Sequence, residues 1–194
     1  MNENRSMDSR TRRTRAKLWS GLIALMDEKE FSAISVSDIA EHAGVNRVTF
    51  YRHFTDKNDL LLRGLEKTMG DVIEQLEPYA DIGTESVAER NYVRIFRHVY
   101  NNRKLYRALV GPDGTGVLVA GLKDYFGSAY IRHMSARLGA PRLPTRFVAD
   151  FVSSAFIGVI ARWIFSDAPE SPEVMAKQFV TIITHGVYYS LALQ

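Results

Sequence analysis

Apolar residues recur at helical spacing along almost the whole chain, and no stretch shows the sustained alternation that is typical of a β-strand. The pattern predicts a long helix over residues 9–29, whose apolar face consists of Leu18, Leu22, Leu25 and Met26. It predicts another long helix over residues 59–77, with Pro78 as its stop and an apolar face of Leu61, Leu65, Met69, Val72 and Leu76. Residues 31–54, between these two, have room for two short helices.

A break at DIGTES, which begins at residue 81, separates this part from a second helical part. There the pattern predicts two helices between residues 92 and 109, a loop with the sequence GPDGTG, and a helix over residues 117–138. The pattern predicts a helix over residues 143–165 that is apolar on almost every side. It predicts a last helix over residues 172–193, which begins at a proline. A helix that is apolar all round must be covered on all sides, in a large core or by a partner chain. We therefore expect an all-α fold.

Local signals in the segment ISVSDIAEHAGVNRVTF predict two short helices joined by a tight turn. Ser35 followed by Asp38 resembles a capping box, in which a hydroxyl and a carboxylate pair with the backbone at a helix start. Gly44 lets the turn adopt a positive φ, and Asn46 is suited to cap the second helix, which we expect over residues 47–54.

The second short helix carries side chains that suit the reading of DNA. Phe50 and Phe54, four residues apart, are expected to anchor it against the core. Its other faces present five side chains outward, namely Arg47, Val48, Thr49, Tyr51 and His53. Arginine can pair with guanine, valine and threonine can touch a thymine methyl group, and tyrosine, histidine or lysine can reach phosphates. Asp56 is expected to cap the following helix, with Lys57 at its first position.

The run SVSDIAEHAGVNRVTFYRHFTDKNDLL resembles the N-terminal domain of the TetR family of repressors, above all in its TFYRHF-x-x-K-x-x-L core. The resemblance implies a three-helix DNA-binding domain over residues 9–72, with its helix-turn-helix motif at about residues 35–54 and a linking fourth helix. It also implies a C-terminal helical bundle over residues 81–194 for ligand binding and dimerisation. The family's DNA-contact positions correspond to Ser37, Arg47, Val48, Thr49, Tyr51, His53 and Lys57.

The same resemblance implies how such a protein works. We expect a homodimer on a pseudo-palindromic double-stranded DNA operator, and a repressor that a small-molecule inducer releases. Two alternatives stay open: a TetR-like coactivator or ligand sensor that has lost operator binding, and a helical-bundle enzyme. A helical corner without any nucleic-acid role is the alternative for the short helices themselves.

The charge of the chain is small overall but uneven. A formal net charge of +3 does not by itself indicate a nucleic-acid partner. Residues 1–20, however, contain six basic residues against two acidic ones; the basic residues are Arg5, Arg10, Arg12, Arg13, Arg15 and Lys17. Such an arm can neutralise phosphates, and a solvated tail is the alternative interpretation.

The absence of cysteine argues against disulfides, thiolate nucleophiles and thiolate metal sites. The first ten residues lack the apolar core of a signal peptide. The apolar helix at residues 143–165 is interrupted by Asp150 and Arg162, and the stretch between them is too short to span a bilayer. We therefore expect a cytoplasmic protein without a membrane partner.

The chemistry-bearing residues do not form a catalytic pattern. The loop GPDGTG lacks the Lys-Ser or Lys-Thr of a phosphate-binding loop, and no two histidines are spaced i, i+4 with a glutamate between them. Ser153 and Ser154 have no recognisable histidine and acid partners. We therefore expect no enzymatic activity, no cofactor and no metal site.

Aromatic residues are concentrated in the C-terminal part, where helical spacing places most of them in a core. A ligand cavity in a helical bundle is also mainly apolar, with few polar groups. The candidates for lining such a cavity are Phe96, Tyr100, Tyr130 and Trp163.

Overall fold

The computed structural model describes residues 2–77, 85–111, 116–135, 143–167 and 169–190. Within these residues the chain forms helices and no strand, which confirms the all-α prediction. The α-helices are α1 (Asn2–Glu28), α2 (Val36–His42), α3 (Arg47–Tyr51), α4 (Lys57–Glu74), α5 (Glu85–Asn101), α6 (Arg103–Val110), α7 (Gly116–Ser135), α8 (Thr145–Ile164) and α9 (Pro172–Ser190), with a 3-10 turn at Phe31–Ala33.

The chain divides into two compact units, Met1–Leu65 and Glu66–Gln194, which we call the N-terminal unit and the C-terminal unit. The division falls inside α4, so this helix contributes residues to both units. The predicted domains, residues 9–72 and 81–194, were drawn from sequence pattern and resemblance alone, and their boundaries stay predictions.

Several helices differ in extent from the sequence prediction. Helix α1 begins at Asn2 rather than at residue 9, because the segment NENRSMDS contains no glycine or proline that would end it. Helix α3 ends at Tyr51 instead of residue 54, since the His53 N–H donates to the Phe50 carbonyl and closes a tighter turn. Helix α4 ends at Glu74 rather than at residue 77, because the next two N–H groups donate to carbonyls three residues back, at Val72 and Ile73, instead of four.

The core of the N-terminal unit is formed by the apolar faces of its helices. Leu18, Leu22 and Leu25 are buried as predicted, whereas Met26, predicted on the same face, is only half-buried. Helices α1 and α4 approach closely at Gly64, because the ring of Trp19 occupies the space that a Cβ atom at residue 64 would fill. A glycine at this position is therefore required by packing rather than by backbone conformation.

The core of the C-terminal unit is an aromatic cluster. Helix α5 packs on α9, and α7 packs on α8. Phe156 on α8 lies at the centre, with ring centroids 5.0–6.1 Å from those of Tyr92, Phe96, Phe126 and Phe179. Most of these pairs meet edge to face, the arrangement that aromatic quadrupoles favour.

Trp163 extends this cluster toward the end of α8. Its ring lies 5.4 Å from that of Phe96, and its indole N–H donates to the Glu170 carbonyl at 2.8 Å. Beside it, the Arg107 guanidinium donates to the Ile164 carbonyl from two nitrogens, at 2.9 and 2.7 Å. The Arg107 bonds satisfy a carbonyl in the last turn of α8, which the helix cannot pair within itself.

Helix α8 has one buried face and one exposed face. By length and apolar composition alone it could cross a membrane, with a mean hydropathy of 1.6, but its buried face belongs to the core of the C-terminal unit. On the opposite face, Phe147 is 62% exposed and Phe151 is 57% exposed. Ser154 and Gly158 continue this exposed face, and a Cβ atom at residue 158 would meet nothing within 4 Å. A single chain therefore covers only one side of this apolar helix.

Helix α9 presents a similar division. Its buried side chains are Met175, Ala176, Phe179 and Val180, while Ile182 is exposed. The backbone leaves helical geometry at Gly186, whose φ of 85° lies in the region that favours glycine. The sequence predicted an uninterrupted helix to residue 193, of which residues 191–193 lie outside the described part.

Candidate nucleic-acid interface

The start of α2 is closed by a reciprocal pair of side chains. The Ser35 hydroxyl accepts from the Asp38 N–H at 3.1 Å, and the Asp38 carboxylate accepts from the Ser35 N–H at 2.9 Å, which confirms the predicted capping box. Lys29, at the end of α1, pairs with the same carboxylate at 2.7 Å. The Lys29 ammonium and the two serine contacts hold the pKa of Asp38 at about 2. The carboxylate therefore stays charged and fixes α2 to the preceding segment.

The turn between α2 and α3 follows the predicted chemistry. Gly44 has a φ of 65°, and the Val45 N–H returns to the Ala40 carbonyl at 2.9 Å. Asn46 caps α3 through its side-chain oxygen, which accepts from the Thr49 N–H at 2.7 Å and from the Thr49 hydroxyl at 2.9 Å. Together, α2, this turn and α3 form a helix-turn-helix motif.

Helix α3 buries one face and exposes the other. Phe50 is fully buried, and Phe54 just beyond the helix is buried beside it with a ring-centroid distance of 5.9 Å, which confirms both as core residues. Arg47 is exposed, Val48 is 64% exposed and Tyr51 is 51% exposed. A cation, a branched apolar side chain and a phenol thus share the outer surface of one short helix.

Thr49 and His53, the other candidates on this segment, are half-buried. The Thr49 hydroxyl donates to the cap residue Asn46, so it is already used within the motif. Burial lowers the pKa of His53, and the nearby charges of Arg15 and Arg52 lower it further. His53 is therefore neutral at pH 7, and any phosphate contact would be a hydrogen bond from a neutral ring.

Lys57 has an orientation that differs from the sequence expectation. It is the first residue of α4, as predicted, and Asp56 caps that helix by accepting from the Asn58 and Asp59 N–H groups at 2.7 and 2.9 Å. The Lys57 ammonium, however, donates to three carbonyls of the Phe31–Ile34 segment, at 2.8, 3.0 and 2.8 Å. It also lies 4.7 Å from the centroid of the Phe31 ring. Carbonyl oxygens at the end of the 3-10 turn attract the cation inward, so the structure does not place it with the outward-facing side chains of α3.

The structure adds two arginines to the predicted set. Arg52, which follows Tyr51 as the C-cap of α3, is exposed. Arg15 on α1 is exposed too, and its guanidinium carbon lies 5.6 Å from the centroid of the Phe54 ring. The signal for Arg52 was present in the sequence, as the one cation inside TFYRHF. No local pattern indicates that Arg15 reaches the helix-turn-helix motif.

The remaining predicted positions have simple placements. Ser37 is exposed in the first turn of α2. Five basic residues of the predicted arm are exposed on α1, namely Arg10, Arg12, Arg13, Arg15 and Lys17. The side chain of Arg5 lies outside the described part of the chain.

The four aromatic candidates for a ligand site are not brought together. Tyr130 lies on a cleft between α4, α5, α7 and α8, with an empty volume of about 610 Å³ that includes its open mouth. Tyr100 and Trp163 instead line a depression of about 550 Å³ beside Arg103 and Arg107. Phe96 is fully buried in the aromatic core and lines neither.

The cleft is the better candidate for a ligand. Its wall includes Ile73, Leu76, Ile95, Ala129, Tyr130 and Val152. Every described residue on this wall is uncharged, and burial raises the pKa of Tyr130, so that its phenol stays protonated. Pockets of this apolar kind, with a few hydroxyl groups, are typical of small-molecule sites.

Two family models match the chain. The model of bacterial regulatory proteins of the tetR family matches residues 20–63, and a model of a transcriptional regulator C-terminal region matches residues 88–185. The first match contains the helix-turn-helix motif described above, and the second contains most of the C-terminal unit.

Individual relatives agree with these matches. The chain is 23% identical over 183 residues to the uncharacterized HTH-type transcriptional regulator YxbF of Bacillus subtilis, covering 93% of this chain and 47% of the relative, so it spans about half of that protein's length. It is 26% identical over 170 residues to the HTH-type transcriptional regulator EthR of Mycobacterium tuberculosis, covering 83% of this chain and 79% of EthR.

A solved structure shows the same fold. The TetR-family repressor FadR of Thermus thermophilus, in complex with lauroyl-CoA, superimposes with a TM-score of 0.66 at 15% identity, covering 89% of this chain and 94% of FadR. At this identity the similarity concerns the fold alone.

Proposed function

Because the chain belongs to the TetR family of transcriptional regulators, we propose that it is a cytoplasmic repressor that binds a pseudo-palindromic operator as a homodimer and that a small-molecule ligand releases. The observation that carries the proposal is the outer surface of α3. Arg47, Val48 and Tyr51 are exposed there on a helix whose start is capped and whose opposite face is buried.

The side chains of α3 suit base and phosphate contacts. Arg47 lies at the first residue of α3, the end of a recognition helix that enters the major groove. Its guanidinium can donate two parallel hydrogen bonds to guanine, while Val48 can contact a thymine methyl group and Tyr51 a phosphate. Arg52 and the exposed cations of α1 add sequence-independent attraction to the DNA backbone.

The exposed face of α8 supports a homodimer. Phe147 and Phe151 leave apolar surface uncovered, and Ser154 and Gly158 are small enough to admit a second helix at close range. A two-fold interface uses the same surface of both chains, so this one stripe is sufficient for both partners. Two copies of α3 can then read two half-sites of a pseudo-palindrome.

The cleft of the C-terminal unit supports control by a ligand. Helix α4 contributes Ile73 to the wall of this cleft and also begins in the N-terminal unit. A ligand that fits one position of α4 better than another shifts the equilibrium between dimer geometries and so changes DNA affinity. FadR of Thermus thermophilus, which has a similar fold, was solved in complex with lauroyl-CoA, and this supports control by a small-molecule ligand without naming the ligand of this chain.

Electrophoretic mobility shifts with selected duplexes test the proposal. We expect the logarithm of the association constant to fall linearly with the logarithm of the salt concentration. Arg47→Ala should weaken binding to the selected duplex by about 1–3 kcal/mol and relax the base preference at one position. Arg103→Ala, which removes the same charge from α6, is the matched control and should bind as the wild type does.

The result also separates the alternatives. A protein that selects no duplex and shows no salt-dependent binding would be the coactivator or ligand sensor. A reporter gene placed behind the selected sequence then distinguishes repression from activation, because a repressor lowers expression and its ligand restores it.

A further inference from the structure

Two buried polar atoms of the C-terminal unit have no hydrogen-bond partner within the described part of the chain. They are the Tyr106 hydroxyl on α6 and Nε2 of His98 on α5. Tyr106 is fully buried, and its ring meets that of His98 edge to face at 6.0 Å. Because nearly all buried polar groups in folded proteins are paired, two unpaired atoms on adjacent rings call for an explanation.

Neighbouring residues on two helices connect the pair with the cleft. On α7, the Tyr125 hydroxyl donates to the Glu66 carbonyl of α4 at 2.9 Å. Burial raises the pKa of Tyr106 well above its usual range, and electrostatic repulsion from Tyr125 adds to this shift. The next residue, Phe126, already lines the cleft.

Helix α5 connects His98 with the cleft. Tyr92 and Ile95 line the cleft, and His98 follows one turn further along. One position before Tyr92, the Asn91 side chain pairs with the backbone of Glu77, accepting from its N–H and donating to its carbonyl, both at 2.9 Å. The cleft-lining residues of α5 therefore lie between Asn91 and His98, whose ring meets that of Tyr106.

Both unpaired atoms are hydrogen-bond donors. Nδ1 of His98 lies 3.4 Å from the side-chain amide nitrogen of Asn102, a donor, and the tautomer that accepts this contact carries its ring proton on Nε2. Burial lowers the pKa of His98, and the ring is therefore neutral at pH 7. The phenol of Tyr106 keeps its proton for the same reason.

We propose that Tyr106 and His98 form the polar end of the ligand site, and that the ligand is an uncharged, mainly apolar molecule whose carbonyl-type oxygen accepts from both. The inference rests on the proposed function, since it names the ligand class of the cleft. The uncharged wall suits an apolar body, and two neutral donors suit a ketone, an ester or an amide. A carboxylate is disfavoured, because a buried charge needs a charged partner and the pair offers none.

A pair of probes that differ only at the carbonyl tests this directly. Butyrophenone and butylbenzene have the same carbon skeleton, and their binding to the full chain is measured by isothermal titration calorimetry. We expect the wild type to bind butyrophenone about fivefold or more tighter. Water solvates the ketone better than the hydrocarbon, so a carbonyl left unpaired in the cleft would give the opposite preference.

Tyr106→Phe should abolish the preference and leave butylbenzene affinity unchanged. Tyr125→Phe is the matched control and should keep the preference, because the Tyr125 hydroxyl already donates to the Glu66 carbonyl and Tyr125 does not line the cleft. A wild type that does not prefer the ketone, a preference that survives in Tyr106→Phe, or no binding of either probe would overturn the proposal.

The melting temperatures of the ligand-free variants provide a second measurement. Tyr106→Phe should melt no lower than the wild type, because the hydroxyl it loses has no partner. Tyr125→Phe should melt lower by a few degrees, because it loses the bond to the Glu66 carbonyl. An equal fall in both would mean that Tyr106 is paired in the free protein, for instance with an internal water, and would contradict the inference. Mobility shifts of the same preparations without probe test DNA binding separately, so failure of the proposed function is recognisable by itself.

Discussion

In the N-terminal unit, helices α2, α3 and α4 each begin at a side chain that pairs with backbone N–H groups only two or three residues away. In the C-terminal unit, the residues at the starts of α6 and α8, Asn102 and Pro144, make no such side-chain bond. Ser171 caps α9 by accepting from the Val174 N–H at 3.3 Å, but α5 and α8 are held together by aromatic contacts between residues far apart in sequence, such as Phe96 and Phe156.

This difference has a physical consequence for the two units. A cap stabilises one helix end by roughly 1 kcal/mol, and it acts locally. A large side chain at the centre of a core touches several helices, so its removal costs more and loosens all of them. The helix-turn-helix motif therefore depends on many small local contributions, whereas the C-terminal unit depends on a few large ones.

The largest effect is expected where the C-terminal unit leaves its apolar face uncovered. Gly158→Glu should reduce operator affinity at least about a hundredfold, because two unpaired charges would enter the two-fold interface and each monomer would hold one half-site. Sedimentation velocity should show monomers, or the variant should fail to fold. Gly158→Ala is the control, since a Cβ atom meets nothing there in the single chain. A Gly158→Glu variant that stays a DNA-binding dimer would place the interface elsewhere.

Removing the central ring should damage the C-terminal unit next most strongly. Phe156→Ala should lower the free energy of unfolding by about 3–5 kcal/mol, because it deletes the ring contacts at the centre of the cluster and leaves a cavity. Urea unfolding followed by circular dichroism measures the loss. Tyr51→Ala, an exposed aromatic of the N-terminal unit, should cost less than about 0.5 kcal/mol. Equal costs at the two sites would remove the distinction between the units.

Lys57 is expected to be the strongest single polar contributor in the N-terminal unit. Lys57→Met keeps the alkyl chain but removes three bonds to carbonyls, and should lower the free energy of unfolding by about 2 kcal/mol. Lys67→Met, at an exposed position on the same helix, should leave stability unchanged. The salt dependence of DNA binding separates this stabilising role from the phosphate contact expected from the sequence. If the salt slope of Lys57→Met were shallower by about one unit and its stability unchanged, Lys57 would contact a phosphate as the sequence predicted.

The smallest effect concerns the capping box. The pKa of Asp38 in the folded protein is about 2, below its ordinary 3.8, so the unfolded chain binds the proton more readily. The stability that this carboxylate contributes is therefore present above pH 4 and is lost as the pH falls toward 2. Asp38→Asn should remove that part of the pH dependence. Unfolding curves of both proteins at about pH 5, 4, 3 and 2 measure this. A difference in the free energy of unfolding that stays constant over this series would contradict the assignment.

The elements that could be predicted most closely are those with local causes. Ser35 with Asp38, Gly44, and Asn46 each need only neighbours within a few residues, and the structure places all of them as expected. The base and phosphate contacts of Arg47 stay predictions, since they depend on DNA. What the sequence does determine is that a cation stands on the exposed surface of a capped helix.

The predictions that differ from the structure concern side chains whose contacts are distant in sequence. Lys57 points inward because its ammonium donates to carbonyls of the Phe31–Ile34 segment, which lies more than twenty residues earlier in the chain. Phe96 and Tyr130 have similar helical settings, but one is enclosed by rings of α8 and α9 while the other faces the cleft. Periodicity identifies a buried face and does not tell which part of it meets a neighbour and which part meets a space.

The two tryptophans of the chain fall one in each unit, and this gives the molecule two built-in optical probes. Trp19 lies half-buried against Gly64, whereas Trp163 is buried and donates its indole proton to a carbonyl. Their fluorescence should therefore differ in emission maximum, and each should shift to the red when its own unit opens. In Trp19→Phe and Trp163→Phe, each unit can be followed alone through the same denaturant series. Coincident curves would mean that the two units melt as one cooperative body, and separate curves would give each unit its own stability.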